Sequence, residues 1–317
     1  CCFSLSVYCS FHHCRAVVQN NKSIIVVALA IASTLTAALM ASCVKFISND
    51  LNTISICFYR CIIGLILILP FVAKNKFQAL KSNNIKLQFG RSMINVISMI
   101  CWFSALGMMQ LEKAAALGFT TPLFTTVLAV IFLGEIIRIH RTAALALGFV
   151  GILVIIRPGY IPFEYSTMLM LIASLTFSFV LIFVKRLSAI DANLTIIFYH
   201  LLFMTPVFFI ISLFFWEPIT LNQLLIFIIM AITGLLSHWC MTQSLKMSDT
   251  TFVMPLQFTK LIWVSLIGLF IFSETPDFWT WIGGIIIFVS VIYITYRESF
   301  IKKDVPETKQ VDRAIIS

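Results

Sequence analysis

The sequence predicts an all-α integral membrane protein of ten transmembrane helices, arranged as two inverted five-helix repeats. Three observations predict it. Of the 317 residues, 60% are hydrophobic and 11% are charged, whereas soluble domains carry about 25% charged residues. Apolar runs of the ~20 residues needed to cross ~30 Å of hydrocarbon recur along the chain. Two long stretches also match each other at a nearly constant offset.

The apolar runs are 24–46, 54–72, 85–107, 114–132, 143–156, 168–184, 194–215, 221–245, 251–272 and 278–296, the fifth being short. They divide the chain into an N-terminal tail (1–23) expected to be unstructured, a first five-helix repeat (24–157), a second (167–297) and a C-terminal tail (298–317). Arg15 and Lys22 precede the first run. That run exceeds the roughly 7–15-residue core of a signal peptide and ends without a clear cleavage site, so it reads as a span. The first methionine is Met40, already inside this run, as an artificial or mis-started N-terminus would give.

The loops carry the charge. With the N-terminus in the cytoplasm, one side of the membrane receives Arg15, Lys22, Lys74, Lys76, Lys81, Lys86, Arg91, Arg138, Arg141, Lys185, Arg186 and Lys246. The C-tail adds Arg297, Lys302, Lys303, Lys309 and Arg313. The other side receives Lys45, Lys113 and Arg157, and Arg60 and Lys260 lie within spans. The positive-inside rule puts both termini in the cytoplasm and supports an even number of spans. The net charge of +9 is therefore spread over loops rather than gathered into a patch, which argues against nucleic acid as a partner.

The internal match runs from "ALGMMQLEKAAALGFTTPLFTTVLAVIFLGE" (105–135) to "SLKMSDTTFVMPLQFTKLIWVSLIGLFIFSE" (244–274) without gaps. Val44-Lys45 answers to Val184-Lys185, and Phe58-Tyr59-Arg60 to Phe198-Tyr199-His200. Five spans per copy is an odd number, so the second copy enters the membrane from the opposite side. Such inverted repeats are the geometry of alternating access, with a site near the midplane between the halves.

Cys43, Cys57, Cys61, Cys101 and Cys240 lie in apolar runs and read as small hydrophobes. Cys1, Cys2, Cys9 and Cys14 crowd the N-terminus with His12 and His13. No second ligand pair at zinc-finger spacing follows, so a tail is favoured over a metal site and no cofactor is expected.

The Phe-Tyr-Arg triplet at 58–60, the "LGE" and "SE" endings of the fourth and ninth runs, and Gly148, Gly151, Gly283 and Gly284 resemble the drug/metabolite transporter superfamily, in its ten-span EamA type. The resemblance covers about residues 24–297. It departs at His200, where the first copy has Arg60, and at Ser290, opposite Gly151. It implies two five-helix repeats and transport. Proteins of this kind export amino acids or drugs, take up S-adenosylmethionine or exchange metabolites.

Lys260 stands near the middle of the ninth run, too deep for its stem to reach either surface. Insertion costs about 2.5–3.5 kcal/mol for such a lysine. Leu, Ile, Val and Phe at about −0.3 to −0.6 kcal/mol each outweigh it. The span inserts, and Lys260 is expected to face a wet cavity or a partner. All thirteen Asp and Glu residues map to span ends, loops or tails. Lys260 is therefore expected to meet an anionic group on a substrate, and its counterpart in the first repeat is Thr121. A neutral, hydrogen-bonded lysine is the bland alternative.

Arg91, Asn95, Ser98 and Trp102 recur at helical spacing on one face of the third run. Ser237, the match of Ser98, and His238 answer from the eighth run, with Thr121, Phe124, Gln257 and Trp263 from the fourth and ninth. Polar groups interleaved with aromatics suit an amphipathic organic solute. Cross-helix hydroxyl ties worth about 0.6–2 kcal/mol each are the structural alternative. Tyr59, Arg60, Tyr199 and His200 are candidates for gating or binding. Ala144 and Gly148, and Gly283 with Gly284, read as small faces for close helix packing.

The expected function is a secondary transporter in the cytoplasmic membrane, moving an amino acid or S-adenosylmethionine-like zwitterion by exchange or facilitated diffusion. The expected partners are the small-molecule substrate and the lipid bilayer, and a homodimer is compatible. An exporter of drugs or organic anions with His-based proton coupling is the alternative; a non-transporting scaffold is the alternative of another class. Enzyme chemistry is disfavoured. No paired acids lie at depth, the adjacent Ser237 and His238 cannot face each other on a helix, and no nucleotide-binding Gly-rich loop appears. Alkaline phosphatase fused after residue 317 is expected to be inactive, and green fluorescent protein fused there to fluoresce. The reverse pattern would overturn the assigned orientation.

Overall fold

A computed structural model describes residues 2–74, 80–118, 120–134, 139–156 and 164–273, and isolated positions between 278 and 293. Among the described residues the chain is helical throughout, without strands. The helices are α1 (Cys2–Ile47), α2 (Thr53–Lys74), α3 (Ile85–Met108), α4 (Leu111–Gly118), α5 (Thr120–Leu133) and α6 (Ile139–Ile156). They continue with α7 (Tyr165–Ser188), α8 (Asn193–Ser212), α9 (Leu221–Met247), α10 (Thr250–Leu256) and α11 (Lys260–Ile271). Eight segments of these are long and apolar enough to cross a membrane. They match the first four and the sixth to ninth apolar runs to within a few residues, α4 with α5, and α10 with α11, each making one segment. Helix α6 covers the fifth run. The tenth run, apart from the isolated positions, and Glu135 and Glu274 lie outside the described residues.

Helix α1 begins at Cys2, within the segment read as a tail. The physical reason is that residues 2–47 contain neither glycine nor proline, so nothing in the chain stops a helix there. Other helix ends carry their own signals. Asn84 caps α3 by accepting from the Leu87 amide at 3.0 Å. Thr220 and Gln223 form a capping box at the start of α9. At the far ends of α5 and α11 stand Gly134 at φ 64° and Ser273 at φ 54°. Both are left-handed residues that close a helix, a conformation that glycine adopts without strain and serine rarely takes. These are the residues of the "LGE" and "SE" endings.

The packing is symmetric under exchange of the two halves. Helix α1 packs along α9, and α7 packs along α3; α2 packs on α8; α2 touches α9 as α8 touches α3; α1 touches α11 as α7 touches α5. Hydrogen bonds repeat the pattern. Ser98 donates to the Ala173 carbonyl at 3.0 Å, and Ser237 to the Ser33 carbonyl at 3.0 Å. Tyr59 donates to the Glu217 carbonyl beyond α8, and Tyr199 to the Leu80 carbonyl beyond α2, both at 2.8 Å. Helices α2 and α8 therefore run antiparallel. Large apolar side chains such as Ile131, Phe214 and Phe270 point outward, as a lipid-facing surface requires.

The loops tie the halves together at both ends. On one side the Glu217 carboxylate accepts from the Asn52 amide at 2.8 Å. There, too, Lys113 pairs with Glu164 at 3.0 Å; the Lys113 hydrogen bond, and then that of Ser166, hold the Glu164 carboxyl below its ordinary range. On the other side, within the second half, Lys185 donates to the Leu245 and Ser248 carbonyls at the end of α9. Asp191, buried at the start of α8, accepts from Ser82, from the Asn83 amide and side chain, and from Gln88 at 2.6–3.2 Å. This carboxylate is the latch between the α2–α3 loop and the second half. Asp191→Asn turns an acceptor into a donor facing donors, at a cost of about 1–3 kcal/mol. The expected outcome is a fall of several degrees in the thermal midpoint in detergent; an unchanged midpoint would remove the latch from this account.

Candidate functional site

Helices from both halves enclose a central cavity of about 180 Å³. Its walls come from α1, α2, α3, α4, α5, α7, α9 and α10, and from the break between α10 and α11. That break is a single 3₁₀ turn, Gln257–Thr259, which follows the last turn of α10 containing Pro255. Proline lacks the N–H that would continue the α-helical ladder. It lies where α10 gives way to that turn. Lys260 begins α11 at the break, and its Nζ stands 5.0 Å over the Trp102 ring. Among the described residues no carboxylate pairs with it.

Trp102 packs against Phe103 with ring centroids 5.3 Å apart. The Arg60 guanidinium lies 6.0 Å from the Phe103 ring and donates to Met99 Sδ at 3.3 Å. It has room because residue 234 is glycine: a Cβ there would stand 2.9 Å from Arg60 Nη2. Further along α3, Arg91 is wholly buried and donates to the Ile196 carbonyl at 2.9 Å. Asn95 Nδ2 approaches His200 Nε2 at 3.4 Å, and the His200 and His238 rings are 5.0 Å apart. Arg60, Arg91 and Lys260 thus line one cavity, and among the described residues its walls hold no Asp or Glu. No group of His, Cys, Asp and Glu suited to a metal occurs among the described residues.

Of the residues singled out in the sequence, Asn95, Ser98, Trp102, Thr121, Ser237, His238, Gln257 and Lys260 line this cavity, as does Arg60. Phe124 and Trp263 are not among its lining residues; helical spacing identifies a face but not which neighbour it meets. Ser98 and Ser237 spend their hydrogens on carbonyls of neighbouring helices, the structural role weighed for such hydroxyls. Gln257 reaches Ser33 Oγ at 3.5 Å. His200 lines a small adjoining void with Arg60, Gly234 and His238. Tyr59 and Tyr199 hold loops at opposite ends of the α2–α8 pair. Helices α1 and α7 contribute Ser33, Met40, Ser174 and Phe177. The sequence reading missed these, because small and apolar residues in an apolar run show no contrast between faces.

A helical bundle with apolar outer walls and a positively lined central cavity is the architecture of a membrane transporter. The chain belongs to the EamA-like transporter family, whose profile matches residues 24–157 and again 165–296. The S-adenosylmethionine uptake transporter of Rickettsia bellii is 26% identical over 254 residues, 80% of this chain and 87% of that protein. The riboflavin transporter of Vibrio cholerae is 28% identical over 240 residues, 75% of this chain and 80% of its own. A pseudopaline exporter of Pseudomonas aeruginosa is 26% identical over 276 residues, covering 85% and 95% of the two chains. A crystal structure at 14% identity shares the fold with a TM-score of 0.71, over 87% of this chain and 97% of that one. The protein is a multi-pass membrane protein of transporter kind, as its relatives are.

The break that presents Lys260 is seated by Gly148 of α6. A Cβ at Gly148 would fall 2.2 Å from Phe258 Cε2, and Phe258 is fully buried in the 3₁₀ turn. Gly148→Ala must push the ring and the turn, an overpacking cost of about 1–3 kcal/mol. The expected outcome is a lower thermal midpoint for Gly148→Ala, largely restored by adding Phe258→Leu. Simple additivity of the two changes would show that this contact does not seat the turn.

Proposed function

We propose that the protein is a secondary transporter that carries a small amphipathic organic metabolite across the cytoplasmic membrane by alternating access. The observation that carries this reading is the Lys260 ammonium over Trp102, in a cavity between the two halves. A lysine at that depth is retained where it meets something polar, and among the described residues the cavity walls offer it no carboxylate. A substrate carboxylate or similar anion would take that place, with its apolar or aromatic part against Trp102 and Phe177.

Ten spans in two inverted repeats of five, bounded near 24–157 and 167–297, complete the reading. The exchange-symmetric packing supports the repeats, and the Asn52–Glu217 and Ser82–Asp191 ties support their opposed orientation, since each joins helix ends of the two halves that fall on one face. Both termini are assigned to the cytoplasm on the loop charges. Relatives named for S-adenosylmethionine uptake, riboflavin transport and pseudopaline export support a small organic solute. An amino acid or S-adenosylmethionine-like zwitterion supplies the anion. Exchange or facilitated diffusion is the favoured mode, because the carboxylates of the sequence all map to loops, span ends and tails. One observation favours a second reading, an organic-anion exporter coupled to protons: the neighbouring, mutually tilted His200 and His238 rings beside Arg60.

Counterflow into proteoliposomes tests the proposal, with amino acids, S-adenosylmethionine, riboflavin and organic anions as solutes. Lys260→Ala is expected to reduce the rate at least tenfold while the protein still elutes as a folded, helical species. A wild-type rate for that variant would remove the role given to Lys260. Failure of every solute would favour a non-transporting scaffold.

A further inference from the structure

We propose that the corner of the cavity formed by Arg60, Arg91, His200 and His238 is a second anion subsite, separate from Lys260. The preferred solute then carries two anionic groups on either side of an aromatic or apolar middle. This inference rests on the carrier reading and specifies its substrate class.

The first ground is a set of buried nitrogens with nothing to bond. Arg60 Nε, Arg91 Nε and His200 Nδ1 are buried and lack a partner among the described residues. Arg60 is 5% exposed, Arg91 0% and His200 1%. An amide nitrogen can only donate, so the Asn95 contact makes His200 Nε2 the acceptor and leaves the proton on Nδ1. All three orphans are then donors. Buried donors without partners are rare in folded proteins and point to a missing ion, water or ligand.

The second ground is charge. Two guanidinium groups stand in this corner, and neither has a carboxylate among the described residues that line the cavity. A buried charge persists when it is paired. Among the described residues none supplies that pairing group, and a bound anion would. Guanidinium nitrogens form a planar fork that matches a carboxylate or a phosphate. Gly234 keeps the space that the Arg60 fork occupies.

The third ground is distance. Arg91 and Trp102 share one face of α3 eleven residues apart, which is about 16 Å of helix at 1.5 Å per residue. Lys260 stands at the Trp102 end. One small carboxylate cannot serve both ends. Along the same helix the Arg60 fork reaches Met99 and the Phe103 ring, and Phe177 also lines the cavity, which supplies apolar walls beside the charged ends.

The test compares two ligands on one skeleton: 1,4-phenylenediacetate, with a carboxylate at each end, and 4-methylphenylacetate, in which one of them is replaced by hydrogen. Affinity is read from thermal stabilisation of the purified full-length protein, and from competition with whichever solute shows counterflow. The dianion is expected to bind at least tenfold more tightly than the monoanion. Arg60→Gln and Lys260→Gln are each expected to bring that ratio to within about twofold of one. Equal affinity in the native protein would overturn the subsite, whatever the variants do. So would a ratio that falls in Lys260→Gln but persists in Arg60→Gln. Dianion preference without counterflow of any solute would support the subsite and overturn the carrier reading; counterflow without dianion preference would do the opposite.

Discussion

Inside hydrocarbon every polar group must find its partner within the protein, and the bundle is organised by that constraint. Most hydroxyls comply locally. Thr36, Ser42, Thr205 and Thr233 each return a hydrogen bond to the preceding turn of their own helix. Others spend the bond on a neighbour and so fix helix to helix, as Ser98 does for α3 and α7 and Ser237 for α9 and α1. Asp191 is a buried carboxylate made tolerable by four donors. Where the rule is broken by charged groups, it is broken around the central cavity, by Arg60 and Arg91.

The scaffold is symmetric and its charges are not. The offset that relates the halves pairs Ser98 with Ser237, Ser33 with Ala173 and Tyr59 with Tyr199, and each pair makes equivalent contacts. Applied to the cations, the same offset sets Arg60 against His200, Lys260 against Thr121 and Arg91 against Met230. Backbone geometry and helix packing are thus shared between the copies, while the side chains that face the cavity have diverged. On the carrier reading, equivalent packing is what would let the two halves exchange conformations, and an unequal lining is what would let a solute recognise the cavity.

Much of this was legible in the chain. Apolar runs define spans because membrane thickness sets their length, and the match of 105–135 with 244–274 reports the repeat directly. The polar face of α3 was visible because Arg91, Asn95, Ser98 and Trp102 stand out at helical spacing in an apolar background, and all four line the cavity. The faces of α1 and α7 were not, since Ala37, Met40 and Leu181 look like any other apolar residues. Phe124 and Trp263 are not among the lining residues for the complementary reason: an aromatic in a span serves lipid, core or cavity equally well. The break before Lys260 was hidden because Pro255 begins one helix as readily as it ends another. Only tertiary packing, with Phe258 against Gly148, distinguishes the two.

The unpaired cations bear on which mode of transport the proposed carrier would favour. Occluding the cavity strips water from Arg60, Arg91 and Lys260, and burying an unpaired ion costs several kcal/mol after relaxation. An anionic solute in place offsets that cost with charge-assisted hydrogen bonds; an empty cavity has nothing to offset it. On the carrier reading, the loaded protein therefore crosses between its two open states more readily than the empty one. A barrier difference of about 2.7 kcal/mol corresponds to a hundredfold in rate. Exchange of one solute for another then outpaces net flux, without any carboxylate relay in the spans. The charge asymmetry that selects the solute would also be what makes its movement reciprocal.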